Sequence, residues 1–253
     1  MKSVGLFQVV LVAVLFVTRS ACTDAFAQAQ GGGTATVDPT LMKLLADVPA
    51  FSARAVARVF DHAQNELVAT PMTFAKLGDK IRVEVDLAEI RGRSGLVPDA
   101  AQMKELGLDR VVSITRPDRK RMYLVYPGKR AYVAVELPKE QLDVAARTQI
   151  QAVDLGRDQL DGHQCIKSRA LVTDPNGMTR EVLVWKALDL NAFPIQIQTT
   201  EFTTIVQVRF SDVGLTKPDA KQFEPPVGYT RFDDLEKLLR GKSSSTPKPK
   251  PQK

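Results

Sequence analysis

The sequence contains little of what enzymes most often use for catalysis. It has only two cysteines and two histidines, and His62 and His163 lie far apart in the chain. The spacings C-x-x-C, H-E-x-x-H and G-x-S-x-G do not occur, and there is no P-loop, so the usual zinc, serine-nucleophile and nucleotide sites lack their residues. The sequence therefore predicts a protein that is not an enzyme, with no catalytic residues, no cofactor and no metal site.

Two polar groupings leave alternatives to that interpretation. Asp61 beside His62 has the residue types of a polarised general base, and Asp158, Asp161 and His163 have oxygen and nitrogen donors for a metal. Their spacing matches no established loop. We therefore favour a solvated pair for the first and a polar turn for the second.

Long hydrophobic runs are also missing. The longest apolar stretch, Val4 to Val17, is shorter than the roughly 18 to 20 residues needed to span a bilayer, which disfavours an uncleaved anchor. Lys2 precedes it and Ala25-Phe26-Ala27 follows it, and this combination is typical of a secretory signal peptide. We expect residues 1–27 to be removed during export and the mature chain to begin at Gln28.

Scarce cysteine limits covalent chemistry. Cys22 would be a lipidation site only in a lipobox, and Arg19 stands where that motif has an aliphatic residue. After cleavage, Cys165 is the sole cysteine, so the mature chain has no internal disulfide. On a strand, Cys165 would share a face with Lys167 and Arg169, which would favour a thiolate, but without a catalytic signature we expect a structural thiol.

Positive charge is unevenly distributed. The formal charge is +6, and from Arg240 onward the chain carries five basic residues and no acidic one, which leaves the body close to neutral. A nucleic-acid-binding domain would carry a basic face, so no nucleic-acid partner is expected. Residues 241–253 are predicted to be a disordered tail rich in Pro, Ser and Lys, with docking on an anionic envelope surface or partner as the alternative.

Between the termini, strands predominate. Residues 28–37 are predicted to form a flexible, glycine-rich leader and residues 38–240 one domain. Alternation and turn dipeptides predict nine further strands besides Phe51 to Phe60. These are Met72–Lys76, Ile81–Leu87, Arg110–Thr115, Arg121–Tyr126, Arg130–Leu137, Ile166–Thr173, Thr179–Ala187, Phe193–Thr200 and Thr204–Ser211. Short helices are predicted at Pro98–Leu106, from Pro138 to about Thr148, and at Phe232–Leu239.

Consecutive strands with few helices indicate a mainly β (α+β) fold, a large curved antiparallel sheet covered by short helices. The inward positions of three strands would form one extensive apolar surface. They are Ile81, Val83, Val85, Leu87, Phe193, Ile195, Ile197, Val206, Val208 and Phe210. Either these side chains form ordinary core, or incomplete closure by the helices leaves a groove for an apolar ligand. Trp185, in a stretch apolar on both faces, is predicted to be buried.

Several segments resemble a known superfamily. The run from Arg110 to Val133 resembles the paired central strands of LolA-like outer-membrane lipoprotein carriers. Leu160–Ser168, Val184–Ala187, Phe193–Ile195 and Phe223–Tyr229 are similar to a LolA-like branch of unknown function in Gram-negative bacteria. The resemblance implies an open half-barrel sheet around an apolar cavity, located in the periplasm, with a lipid-like or acylated ligand. It does not indicate an oligomeric state.

Overall fold

A computed structural model of the chain describes residues 39–93, 96, 97, 99–139, 146–201 and 204–241. The predicted signal peptide, with Cys22, the leader at 28–37 and the tail beyond Gly241 lie outside these residues. They remain predictions.

The described residues form thirteen strands and a few short helices. The strands are β1 (Ala50–Asp61), β2 (Glu66–Leu77), β3 (Lys80–Asp86), β4 (Arg91–Gly92), β5 (Arg110–Arg116), β6 (Arg121–Tyr126), β7 (Ala131–Glu136), β8 (Gln149–Leu160), β9 (His163–Thr173), β10 (Thr179–Ala187), β11 (Phe193–Glu201), β12 (Thr204–Gly214) and β13 (Thr230–Phe232). The helices of at least six residues are α1 (Pro39–Leu44), α2 (Ala100–Glu105) and α3 (Leu235–Arg240).

All strands belong to one curved, open sheet. Its order is β13-β7-β6-β5-β3-β2-β1-β12-β11-β10-β9-β8, with β4 paired to β2 beside that path. Neighbours are antiparallel except β13, which runs parallel to β7. Since β13 and β8 are the two ends of the order, the sheet does not close within the described residues. The predicted fold class, a half-barrel sheet with few short helices, is confirmed.

Turn chemistry explains the meander from β5 to β7. Pro117–Arg119 and Pro127–Lys129 form single 3-10 turns, and each ends at a residue in the left-handed region, Lys120 and Arg130. Proline fixes the φ angle at the first residue of each turn. Each pair of neighbouring strands is therefore joined by a short, tight connection. Short turns at Gly78 and at Asp174–Gly177 join two further pairs of strands, and the Asp174 carboxylate accepts from the Asn176 and Met178 N–H groups.

The structure adds one strand and corrects several predicted boundaries. The strand predicted at Met72–Lys76 begins six residues earlier, at Glu66. Residues 149–160 form β8, a strand missed in the sequence because its side chains are almost all exposed and show no alternation. Leu87 leaves the strand and begins a 3-10 turn capped by the Asp86 carboxylate. The last helix begins at Leu235, not at Phe232, because Thr230–Phe232 pairs with β7 and Asp234 then caps the helix. Of the helix predicted from Pro138 to Thr148, residues 140–145 lie outside the described residues.

Cross-strand pairing assigns the two faces of the sheet. Ile81 lies opposite Thr115 and Val83 opposite Ser113, and these β5 residues lie in turn opposite Met122 and Leu124. Directly opposed residues share a face, which we call the inner face. Val112 and Ile114 alternate with them and therefore point to the outer face.

Apolar side chains cover both faces in separate clusters. The first cluster lies on the inner face and contains side chains from β1, β2, β3, β9, β10, β11 and β12. The second continues that face over β6 and β7, where Met103 of α2 and Leu238 of α3 pack against it. The third lies on the outer face, where Phe223 packs on β5 and β6. The inner face therefore carries the larger share of the core.

An arginine fixes the C-terminal segment to the outer face. Arg116 is 4 % exposed, and its guanidinium donates to both carboxylate oxygens of Asp118, to the Phe223 carbonyl and to Glu224. The bidentate bond from Arg116 holds the pKa of Asp118 at about 2. Exposed Arg119 also binds Glu224, at 2.7 Å. The two carboxylates satisfy a nearly buried charge and hold Phe223 on the sheet.

We expect Arg116→Met to lower the free energy of unfolding by about 2 kcal/mol, since Phe223 loses a charged donor and the strand loses its link to Glu224. Arg119→Met removes the exposed partner of the same carboxylate and should cost less than about 1 kcal/mol. Urea denaturation of the two variants checks this. An equal loss of unfolding free energy in the two variants would show that the burial of Arg116 does not strengthen its contribution to stability.

Candidate apolar ligand-binding face

The sheet brings the ten predicted inward residues together on the inner face. Eight of them are buried members of the first cluster: Ile81, Val83, Val85, Phe193, Ile195, Ile197, Val208 and Phe210. Leu87 is partly buried in its 3-10 turn and packs against the same cluster. Val206 is partly buried opposite Thr199. Residues from β3, β11 and β12 thus contribute to one continuous apolar surface, although β1 and β2 separate β3 from the other two.

Aromatic rings fill the centre of this surface. The Phe193 ring lies 4.9 Å from Phe51 and 5.4 Å from Phe210 between centroids, and Phe74 lies 5.8 Å from Phe210. Edge-to-face contacts of this kind stabilise packing beyond the area that the rings bury. Phe51 and Phe74 are not among the ten predicted residues, because the sequence pattern of β1 and β2 did not identify which side chains point inward. In the structure described here, the surface is closed by its own side chains.

In the part of the chain that the structure describes, short helices cover the inner face together with loop residues such as Ile90 after β3. Leu41 of α1 and Leu45, just after it, are buried in the first cluster, and Met103 and Leu238 cover the second. Each of the three helices is six residues long. Helices of that length have little stability of their own and stay in place through side-chain packing.

Polar atoms interrupt the apolar surface at β5. The hydroxyls of Ser113 and Thr115 are buried and have no hydrogen-bond partner among the described residues. Their cross-strand neighbours, Ile81, Val83, Met122 and Leu124, are all apolar. The two hydroxyls therefore lie where the first and second clusters meet. We call Ser113 and Thr115 the hydroxyl pair.

A third hydroxyl of this kind lies elsewhere. Thr70 on β2 is fully buried, and its hydroxyl also lacks a partner among the described residues. It lies opposite Ala57, four residues before Phe74 on the same strand. The sequence could not indicate any of these three hydroxyls, because their isolation depends on which side chains oppose them across the sheet.

The β8–β10 end of the sheet carries polar contacts instead. The indole N–H of Trp185 donates to Asp158 at 2.8 Å, and the Lys167 ammonium lies 4.8 Å from the indole centroid. Trp185 is 7 % exposed, which confirms the predicted burial. The hydrogen bond from Trp185 lowers the pKa of Asp158. Asp158 thus lies on a strand rather than in the predicted polar turn.

The predicted thiolate environment of Cys165 is wrong. Cys165 is 1 % exposed, and burial, followed by the negative charge of Asp158, raises the pKa of its thiol. Lys167 contacts the Trp185 ring. A protonated, buried thiol agrees with the structural role that we expected.

The other polar groupings are engaged locally. Asp61 accepts hydrogen bonds from the Asn65 side chain and backbone, which lower its pKa, and His163 pairs with Asp189 at 2.7 Å. In the part of the chain that the structure describes, no group of three or more His, Cys, Asp or Glu residues is arranged to hold a metal ion. No helix among those same residues has the length and apolar character required to cross a membrane.

A surface groove lies beside the beginning of β8. Lys43, Ile150 and Pro175 are among its lining residues, and none of the ten inward residues contributes to it. Both polar and apolar atoms line it. Because Ile150 also packs against the first cluster, the groove adjoins the edge of the inner face.

No family model and no curated protein matches the chain. Solved structures similar to it include the Mycobacterium tuberculosis lipoprotein LppX, with 10 % identity, 69 % of this chain and 92 % of that one covered, and a TM-score of 0.39. LprF from Mycobacterium bovis shows 16 % identity over 72 % and 97 %, with a TM-score of 0.37. The LolA superfamily protein NE2245 from Nitrosomonas europaea shows 10 % identity over 75 % and 98 %, with a TM-score of 0.33. A LolA superfamily structure is thus among those that the chain resembles, as its sequence implied.

Removing an isolated hydroxyl should stabilise the unliganded protein. We expect Thr115→Val to raise the free energy of unfolding by about 1 kcal/mol, because valine has nearly the same shape and no polar group to desolvate. Thr199→Val is the matched control, since Thr199 is equally buried but its hydroxyl donates to the Glu181 carbonyl. That variant should be destabilised. Urea denaturation of delipidated protein checks both, and a destabilised Thr115→Val would contradict the assignment of an isolated hydroxyl.

Proposed function

We propose that this protein is a non-enzymatic binder or carrier of a lipid-like or acylated apolar ligand, which it holds against the inner face of its open sheet. The observation that carries the proposal is the extent of that face. Two apolar clusters adjoin across β3 and β5, and their buried members come from ten strands of a sheet that stays open at both ends within the described residues. The ten inward residues named above are the proposed ligand-lining set.

The energetics of opening favour such a role. Access to the inner face requires the displacement of a few side chains, such as Leu41 and Leu45 at α1 or Met103 at α2. Each methylene of an acyl chain that replaces them gains about 0.8 kcal/mol when it leaves water. The burial of a long acyl chain therefore offsets the loss of the contacts that a few leucine side chains make. In this proposal, the packed structure is the unliganded form.

In this proposal, the N-terminal signal sequence determines where the protein acts. The N-terminal signal directs the chain out of the cytoplasm, and the periplasm is the compartment in which a carrier of acylated ligands meets the envelope. The polar groups near Asp61 and His163 are taken up by local pairs. That arrangement supports a binding role over a catalytic one.

The alternative is an envelope interaction module with a permanently filled core. Its basic tail would dock on an anionic surface or partner, with strong dependence on salt because exposed charges are screened. The close ring packing of Phe51, Phe193 and Phe210 agrees with such a core. The two functions make opposite predictions for changes to the inner face and to the tail.

A charge on the inner face should abolish ligand binding. We expect Ile195→Lys, or Val83→Glu, to eliminate the uptake of a fluorescent lipid, since an unpaired buried charge costs several kcal/mol. Gln198→Lys places the same charge on the same strand at a partly exposed site beside Gln207, and it should bind normally. Fluorescence titration measures the uptake, and circular dichroism must show a retained fold.

Deletion of Ser243–Lys253 tests the contribution of the basic tail, as the inner-face variants test that of the sheet. Ligand uptake should be nearly unchanged in the shortened chain if the inner face binds the ligand. Loss of envelope association with the tail, together with no lipid uptake by the intact protein at low or high salt, would instead establish the interaction module.

A further inference from the structure

The hydroxyl pair is unexplained by packing alone. Ser113 and Thr115 place two hydroxyl groups in an apolar interior, and neither has a partner among the described residues. Buried polar groups are nearly always hydrogen-bonded, because an unmet bond costs the full desolvation of the group. Valine or alanine would fill the same positions without that cost. A bound group that accepts hydrogen bonds at this point would account for both hydroxyls.

We propose that the hydroxyl pair binds the ester group of an acylated ligand, with the acyl chain lying along the apolar inner face. This inference rests on the proposed function and specifies its ligand class. A hydroxyl donates one hydrogen bond to a carbonyl oxygen, and it needs no change of protonation to do so. The pair thus fixes the position of the ligand along the sheet, while the apolar clusters bind its chain.

The spacing of the pair suits an ester. Residues two apart on a strand lie about 6.6 Å from each other and point to the same face. The two oxygens of one ester are joined through a single carbon, so each lies within reach of one hydroxyl at about 2.8 Å. The carbonyl oxygen, the stronger acceptor, binds one hydroxyl and the second oxygen approaches the other.

The surroundings disfavour a charged carboxylate. The residues opposite the pair are Ile81, Val83, Met122 and Leu124, which offer no cation. Lys76 lies one strand beyond Ile81 on the same face, but its ammonium already donates to the Val48 carbonyl at 2.5 Å. The nearest arginine along β5, Arg116, points to the outer face and is held by Asp118 and Glu224. An ionised fatty acid would leave its charge unpaired, whereas an ester brings only an acceptor. The site therefore selects esterified chains over free acids.

Competition binding tests the proposal with the full mature chain. The neutral probe N-phenyl-1-naphthylamine is bound first and then displaced by methyl hexadecanoate, by the alkane heptadecane, or by hexadecanoate at pH 8. We expect the ester to bind about tenfold more tightly than the alkane, as one to two hydrogen bonds to buried hydroxyls would give. The free acid should bind more weakly than the ester.

Two variants assign the preference to its residues. In Ser113→Ala/Thr115→Val the tenfold preference for the ester over the alkane should fall to about one. In Thr70→Val, which removes the isolated hydroxyl remote from the pair, the preference should persist. Thermal unfolding verifies that each variant is folded.

The outcomes separate this inference from the proposed function. Equal affinity of the wild-type protein for ester and alkane overturns the ester site while leaving apolar binding in place. An ester preference that survives in the double variant also overturns it. Failure of the protein to take up the probe and all three ligands overturns the proposed function and the ester site together.

Discussion

The structure depends on covering one apolar face of a very long sheet. An antiparallel sheet with an apolar inner face must bury that face, and a sheet that does not close on itself has to do so with other elements. Among the described residues, the cover consists of side chains from short helices and the loops beside them, above all Leu41, Leu45, Met103 and Leu238. The sheet is extensively hydrogen-bonded, whereas these side chains are held mainly by apolar packing, supported by a hydrogen bond from the Lys76 ammonium of β2 to the Val48 carbonyl. In the proposed function, this weaker cover is the part of the fold that opens.

The outer face is stabilised by a different interaction. Arg116 connects β5 to Phe223 and Glu224, which lie far along the chain, and thereby holds the C-terminal segment against the sheet. Because this contact is nearly buried and charge-assisted, the outer face is firmly covered near β5. The described cover of the inner face packs mainly through apolar side chains, and these are the side chains that a ligand would replace in the proposed function.

Most strands of the sheet could be predicted from the sequence, because a strand that buries one face shows alternating apolar and polar residues. Ile81, Val83 and Val85 alternate with polar residues, and the structure buries all three. The same reasoning failed at β8, where both faces are exposed and the alternation that marks a half-buried strand is absent. It also failed at Phe232, where a parallel pairing with β7 decides the conformation and no local pattern records it.

The candidate site was only partly accessible from the sequence. The ten inward residues followed from alternation, and the structure brings them to one face. The hydroxyl pair did not follow, since serine and threonine are common in exposed strands and only the opposing residues show that Ser113 and Thr115 are isolated. Likewise, Arg116 became distinct from the other arginines only through its contact with Glu224, a residue remote in sequence.

Native mass spectrometry of protein purified from its host envelope tests the central claim most directly. The account predicts a population with added mass that matches an esterified acyl lipid or an acylated peptide. That population should be lost after extraction with organic solvent and regained when the lipid is returned. A single species at the mass of the mature chain, from envelope preparations that contain abundant lipid, would contradict the binding of a ligand by the inner face.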